Sequence, residues 1–180
     1  MPEIKIRPAV ESDLPILVKF DHSYSSEHVW QMELGQEAGQ MGVNFRQIRL
    51  PRATRVEYPR SPQALAENWK LYTALLVAEL GGEPVAYTCL TQNRIPLTTW
   101  VTDLVVTPRH RRQGIGSTMV LAALDWVAGQ GHTNRLILEL QPKNYPAIRL
   151  SQKLGFDFCG YLDHYYANND IGIFFAKWVI

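Results

Sequence analysis

Val101-Thr102-Asp103-Leu104-Val105-Val106-Thr107-Pro108, then Arg109-His110-Arg111-Arg112-Gln113-Gly114-Ile115-Gly116, then Ser117 to Gly131, is the stretch that decides the fold. Its first piece is a β-branched run closed by a proline, which predicts a buried strand. The third piece carries apolar residues at Ile115, Met119, Val120, Ala123, Leu124 and Val127, the spacing of a helix with one buried face. Between them lies a basic turn containing Gly114 and Gly116. Main-chain amides at such a turn, with the positive end of the helix dipole, make an anion site. Glycine there lets a phosphate approach the backbone closely.

Downstream, Arg135 to Leu140 predicts a second strand. Asn144 is placed to cap a helix with Pro146 in its first turn and Ala147, Leu150 and Leu154 facing inward. Gly155 is the natural left-handed residue to end it, with Phe156 folding back. Strand, helix, strand demands a parallel pair. Phe158 to Tyr166 and Gly172 to Val179 then predict a hairpin through Asn168-Asn169-Asp170.

Upstream, Ala74 to Leu80 and Val85 to Gln92 predict a hairpin across Gly81-Gly82-Glu83-Pro84. Ser61-Pro62 opens a helix with Leu65, Trp69 and Tyr72 on one face. Ile4, Ile6 and Pro8 suggest a first strand, and Ser12 or Asp13 a helix cap before Pro15, with Leu14, Leu17 and Phe20 inward. Ser23 to Ser26 reads as a loop and Glu27 to Glu37 as a helix. Val43 to Tyr58 reads as a hairpin about Pro51-Arg52-Ala53. The expected class is mixed α/β: a central, mostly antiparallel sheet with one parallel pair, flanked by helices, in a single domain over 1–180.

With 180 residues, 46% hydrophobic and 19% charged, the chain has the composition of a globular domain rather than a disordered one. A formal net charge of +1 supplies no global field for nucleic acid or an anionic membrane, so neither is expected as a partner. No apolar run approaches spanning length, and a cytoplasmic location is expected. Cys89 and Cys159 read as buried thiols in a reducing compartment. No paired Cys or His-Glu-x-x-His spacing is present, so no metal site is expected.

Three phosphate cradles compete for the basic turn. A P-loop needs a lysine after its last glycine, and Gly116 is followed by Ser117. A dinucleotide fingerprint needs a third glycine where Met119 stands. The pattern Arg/Gln-x-x-Gly-x-Gly/Ala fits Arg111-Arg112-Gln113-Gly114-Ile115-Gly116. With Leu104-Val105-Val106-x-Pro108 before it and Asn144-x-x-Ala147-x-x-Leu150-x-x-Lys153-x-Gly155-Phe156 after it, the chain resembles the GNAT superfamily of N-acetyltransferases. The resemblance covers roughly residues 75–180 of the chain.

That resemblance implies acetyl-CoA as co-substrate, bound by a core over 99–156. Amides from Arg112 to Ser117, namely those of Arg112, Gln113, Gly114, Ile115, Gly116 and Ser117, would hold the pyrophosphate beside Arg111. Leu104, Val105 and Val106 would pair with the pantetheine arm, and Asn144 would contact it. The amide near Val106 would stabilise the thioester oxyanion. An amine-bearing acceptor, a small molecule or a peptide N-terminus, would enter beside residues 21–60.

An amine nucleophile must lose a proton, directly or through water. Glu139 stands where protein N-terminal acetyltransferases of this superfamily keep a glutamate, and Asp103 on the facing strand is the second candidate. Many members place a tyrosine where this chain has Ser151. Ser151 stays a candidate that could hold a water. Otherwise either the acid comes from Tyr145, Tyr161, Tyr165 or Tyr166, or coenzyme A leaves as thiolate, or the protein is not a fast catalyst. Tyr165-Tyr166 also resembles the pair lining the peptide groove of N-terminal acetyltransferases. Asp163 to Asn168 resembles streptothricin acetyltransferases. The implied activity is acetyl transfer to a primary amine by a monomer or homodimer. The alternative is a catalytically weak acyl-CoA sensor or partner module.

Overall fold

Residues 3–92 and 94–179 are described by this computed structural model. In chain order they form β1 (Ile4–Pro8), α1 (Leu14–Leu17), β2 (Tyr24–Gly35), β3 (Gly42–Val56), α2 (Pro62–Asn68), β4 (Ala74–Leu80) and β5 (Glu83–Thr91). These are followed by β6 (Thr98–Val106), α3 (Ile115–Gln130), β7 (Arg135–Leu140), α4 (Tyr145–Lys153), β8 (Asp157–Leu162) and β9 (Gly172–Trp178). Seven strands make one sheet in the order β1-β4-β5-β6-β7-β9-β8, and β2 with β3 makes a separate ribbon. Every neighbouring pair is antiparallel except β6 with β7, which bracket α3.

The local signals explain the elements that position the site. Gly81 and Gly82 both take positive φ, which a two-residue type I′ turn between β4 and β5 requires. On α3, Ile115, Met119, Val120, Ala123 and Val127 are buried against Val101, Leu136 and Leu138 of the parallel pair. On α4, Asn144 Oδ1 accepts the Ala147 amide. The helix ends with the Phe156 amide on the Ser151 carbonyl and the Gly155 amide on that of Gln152, a Schellman closure around the left-handed Gly155. The most buried apolar side chain of α4 is Ile148, while Leu150 and Leu154 are half-buried. The opposite face of the sheet, bearing Val77, Tyr87, Cys89 and Val105, packs on Leu14, Leu17 and Leu65 of α1 and α2.

The region between α1 and α2 departs from the expectation. Glu27 to Glu37 is not a helix, and Ser23 to Ser26 is not simply a loop, because β2 runs from Tyr24 to Gly35. His28, Val29, Trp30 and Met32 are half-buried while Glu27, Gln31 and Glu33 face solvent. Its partner is one long strand, so the chain reverses between Gly35 and Gly42 and not at Pro51. The Pro51 region is instead an excursion in which Leu50 to Ala53 lie opposite Glu27 without register partners. Phe45 stacks on Phe158 and Tyr161, and the Trp30 amide bonds the Pro142 carbonyl at 2.9 Å, so the ribbon is tied to the edge of the sheet. Of the two thiols, Cys89 is buried and Cys159 is exposed, which corrects the expectation that both are buried.

Candidate active site

The parallel pairing of β6 with β7 stops at Val101 opposite Leu138, although β6 continues to Val106 and β7 to Leu140. A bulge accounts for the divergence. Cys89 faces Asp103 and Leu90 faces Val101, so Thr102 is an extra residue with no partner on β5. One extra residue bends and twists a strand locally. Past it, the Thr107 amide donates to Val85 at 2.9 Å. Ladder alternation therefore turns the NH and C=O groups of Leu104 and Val106 away from β5, into the gap. That gap opens into a cleft of about 520 Å³, counting space open to solvent, lined by Thr102, Leu104, Leu138, Glu139, Asn144 and Tyr166 among others.

At the carboxyl end of β6 the basic turn closes on itself. Arg111 Nε donates to the Val106 carbonyl at 2.8 Å and its Nη2 to the Asp21 carbonyl at 2.9 Å, so this side chain braces the strand end. Arg112 and Gly114 take φ of 64° and 87°, and Gln113 Nε2 folds back to the Arg109 carbonyl. The first amide bonded within the turn of α3 is that of Thr118, on the Gly114 carbonyl at 3.0 Å. The amides of Gly114, Ile115, Gly116 and Ser117 precede it, the positions where a helix leaves its NH groups unpaired. A Cβ built on Gly114 meets nothing within 4 Å, whereas one on Gly116 touches Leu150 at 3.4 Å. Gly114 thus faces open space and Gly116 allows α3 to approach α4.

The two candidate carboxylates lie on the face away from α3, and one arginine joins them. Arg60 binds Glu139 Oε1 through Nη2, donates from Nη1 to the Thr102 carbonyl at 2.8 Å, and approaches Asp103 Oδ1 at 3.6 Å. Asp103 also accepts from Tyr58 at 2.6 Å and Thr102 at 3.0 Å. Glu139 Oε2 accepts from Arg94 at 2.7 Å and from the Tyr165 hydroxyl at 2.6 Å. The Glu139 side chain is 0% exposed. Burial, then the Glu139 carboxylate, pushes the Tyr165 phenol up to about 12. The same two causes hold the Tyr166 phenol well above its ordinary value.

Tyr166 is 6% exposed, borders the cleft, carries the Arg60 guanidinium 5.1 Å from its ring, and has no hydrogen-bond partner for its hydroxyl among the described residues. Ser151 lies elsewhere. It is fully buried, donates to the Ala147 carbonyl at 2.7 Å, and is not among the cleft-lining residues, which on α4 are Ala147 and Leu150. Glu139, Tyr166, Leu104 and Asn144 are therefore gathered around one gap. Asp103 does not line it and is joined to it only through Arg60 and Tyr58, while the side chains of Val105 and Ser151 pack away from it. Sequence reasoning missed Arg60, Arg94 and Tyr58. Each lies in a connection or strand end whose partners are more than 40 residues away, and no local pattern marks it.

The model of the Acetyltransferase (GNAT) family matches residues 44–156. The N-alpha-acetyltransferase of Sulfurisphaera tokodaii is 29% identical over 133 residues, 59% of this chain and 76% of that protein. Nourseothricin acetyltransferase shares the fold with a TM-score of 0.81 at 20% identity, over 98% of this chain and 99% of that one. A Bacillus anthracis structure solved with acetyl coenzyme A gives 0.76 at 18% identity, over 98% and 99%. The family match runs through β3, the parted strands, the basic turn and α4, well over half of the sequence. The chain belongs to the GNAT family of acetyltransferases.

Proposed function

We propose that this enzyme moves the acetyl group of acetyl-CoA to a primary amine by direct attack in a ternary complex. The observation that carries the reading is the gap between β6 and β7, which has Leu104, Asn144 and Ala147 on one side and Arg60, Glu139 and Tyr166 on the other. Donor and acceptor then meet from opposite faces of the sheet. Amides from Arg112 to Ser117 hold the pyrophosphate. The pantetheine arm, with its own amides, pairs along Leu104 and Val106 in place of the missing strand. The Val106 amide faces the thioester oxygen, where such a donor contributes about 3 kcal/mol to the transition state.

The acceptor amine is neutral in roughly one molecule per thousand at pH 7, so a base is required. Glu139 is that base and Asp103, linked to it through Arg60, supports the acceptor ammonium before transfer. Tyr166 supplies the proton to the departing sulfur, taking from the β8–β9 connection the role that Ser151 leaves vacant. Its hydroxyl is protonated across the working pH range because burial and Glu139 both oppose the phenolate. Tyr166→Phe is expected to lower kcat about a hundredfold, within the range for a general acid, with little change in the KM for acetyl-CoA. Ser151→Ala is expected to leave kcat within about twofold of wild type and to cost about 1 kcal/mol of stability from its lost hydrogen bond. Parallel kinetics and thermal melts check both.

The acceptor is first a small amine-bearing molecule, aminoglycoside-like or lysine-bearing, a reading supported by the full-length likeness to nourseothricin acetyltransferase. A peptide N-terminus is the second reading, favoured by the identity to the N-alpha-acetyltransferase. Thiol release from acetyl-CoA, measured with lysine, aminoglycoside-like amines and free-N-terminus peptides, decides between them. Hydrolysis alone, with no acetylated amine by mass spectrometry, would remove the proposal.

A further inference from the structure

Glu139 cannot be reached by an amine directly. Its side chain is fully enclosed, Oε1 is taken by Arg60, and Oε2 is shared by Arg94 and Tyr165. A guanidinium has no lone pair to receive a proton. Of the three groups that seal the carboxylate, the Tyr165 hydroxyl alone can accept one proton while handing on another. A phenol oxygen has two lone pairs; Arg94 Nη1 donates to one at 2.7 Å, and no other donor meets it among the described residues.

The placement of Tyr165 is tightly specified. Its amide and that of Tyr166 both bond the Asp170 carbonyl, at 3.0 and 3.1 Å. Its ring packs edge-on against Phe174 and Tyr166. It also rests on the bare backbone of Gly172, where an added Cβ would lie 2.5 Å from Tyr165 Cδ1. A glycine there lets the ring lie close enough for its hydroxyl to meet Glu139.

We infer that Tyr165 is a catalytic proton carrier, through which Glu139 draws the proton from the acceptor amine. This rests on the proposed transfer reaction. As the amine nitrogen bonds to the acetyl carbon and the C–S bond breaks with its electron pair on sulfur, the surplus proton on nitrogen passes to Tyr165 Oη. The phenol proton passes at the same time to Glu139 Oε2. Tyrosine stays neutral, glutamate becomes neutral, and the proton gained by sulfur comes from Tyr166. The proton held by Glu139 then returns through Tyr165 to solvent, which restores Tyr166. Counted from the neutral amine, the sum is one proton lost by nitrogen and one gained by the thiol, and an ammonium acceptor first releases its additional proton to solvent. The charged and titratable groups facing the pair are Arg60 from before α2, Arg94 from the β5–β6 connection, Asp103 from β6 and Tyr166.

The test is a cycle of Tyr165→Phe, Glu139→Gln and the double variant, with kcat and kcat/KM for the best amine of the acceptor panel followed against pH. The relay predicts that each single variant loses about a hundredfold in kcat and that the double variant loses no more than about twofold beyond the worse single, because both break one path. Acetyl-CoA affinity stays at the wild-type value. Gly172→Ala, which keeps the phenol and the carboxylate in the chain but displaces the ring that carries the phenol, falls by a similar factor. Replacing Tyr165 by 3,5-difluorotyrosine, a more acidic phenol of nearly the same shape, brings an alkaline loss of rate down from near pH 12 into the measurable range. A Tyr165→Phe rate within threefold of wild type, a double variant equal to the product of the singles, or a pH profile indifferent to fluorination would overturn the relay. Absence of amine acetylation by the wild type would instead overturn the transfer reaction itself.

Discussion

Replacing Gly114 by aspartate is expected to weaken acetyl-CoA binding at least a hundredfold, close to 3 kcal/mol. The substitution removes no packing, since a Cβ at this position meets nothing within 4 Å. Its backbone cost is modest as well: φ is 87°, and aspartate is among the residues that tolerate the left-handed region, at about 1 kcal/mol. What changes is the field. A carboxylate set among the free amides that begin α3 occupies the donors meant for a phosphate and repels the next anion. Gly114→Asn separates the two effects, having the same shape and no charge, and should lose less than tenfold. Titration calorimetry with acetyl-CoA reads both variants. Aspartate binding as tightly as glycine would mean that the pyrophosphate lies elsewhere.

Arg60→Ala is expected to lower the stability of the fold by about 3 kcal/mol, and so to reduce the melting temperature by roughly 6–12 °C. The guanidinium touches a carboxylate on each of the two parting strands and the carbonyl of the bulged Thr102. Removing it leaves those acceptors buried without their partner, and an uncompensated buried charge costs more than the pair was worth. The figure is the lower end of the usual range because Arg60 is 28% exposed at its side chain and Arg94 and Tyr165 still hold Glu139. Arg60→Lys should recover less than half of the loss, since an ammonium lacks the planar fork that spans three acceptors. Differential scanning calorimetry of the two variants checks the order. Equal melting of Arg60→Ala and wild type would show that the network contributes nothing to the fold.

The parts of this site that could be read from sequence are those where local chemistry agrees with the final structure. A β-branched strand, a basic glycine turn and a one-faced helix lie within thirty-one residues, from Val101 to Gly131. Asn144 and Gly155 mark the two ends of α4 by mechanisms that act within five residues. The ribbon was misread for the opposite reason. Gln31, Met32, Glu33 and Leu34 are good helix formers, and only pairing with Arg46 to Val43 along β3 makes them a strand. The arginines were illegible on the same grounds. Arg60 is 79 positions from Glu139 and Arg94 is 45, and an arginine in a connecting segment reads as a solvated side chain until the fold delivers it to a carboxylate. Ser151 was visible as a departure, but its bond to Ala147 and its distance from the cleft lining follow from the rotation of α4, which the flanking motif does not specify.

The single unpaired residue at Thr102 has a consequence for how such a protein can vary over time. The gap between β6 and β7 begins at a change of main-chain register. Side-chain substitutions along its rims leave that register change in place.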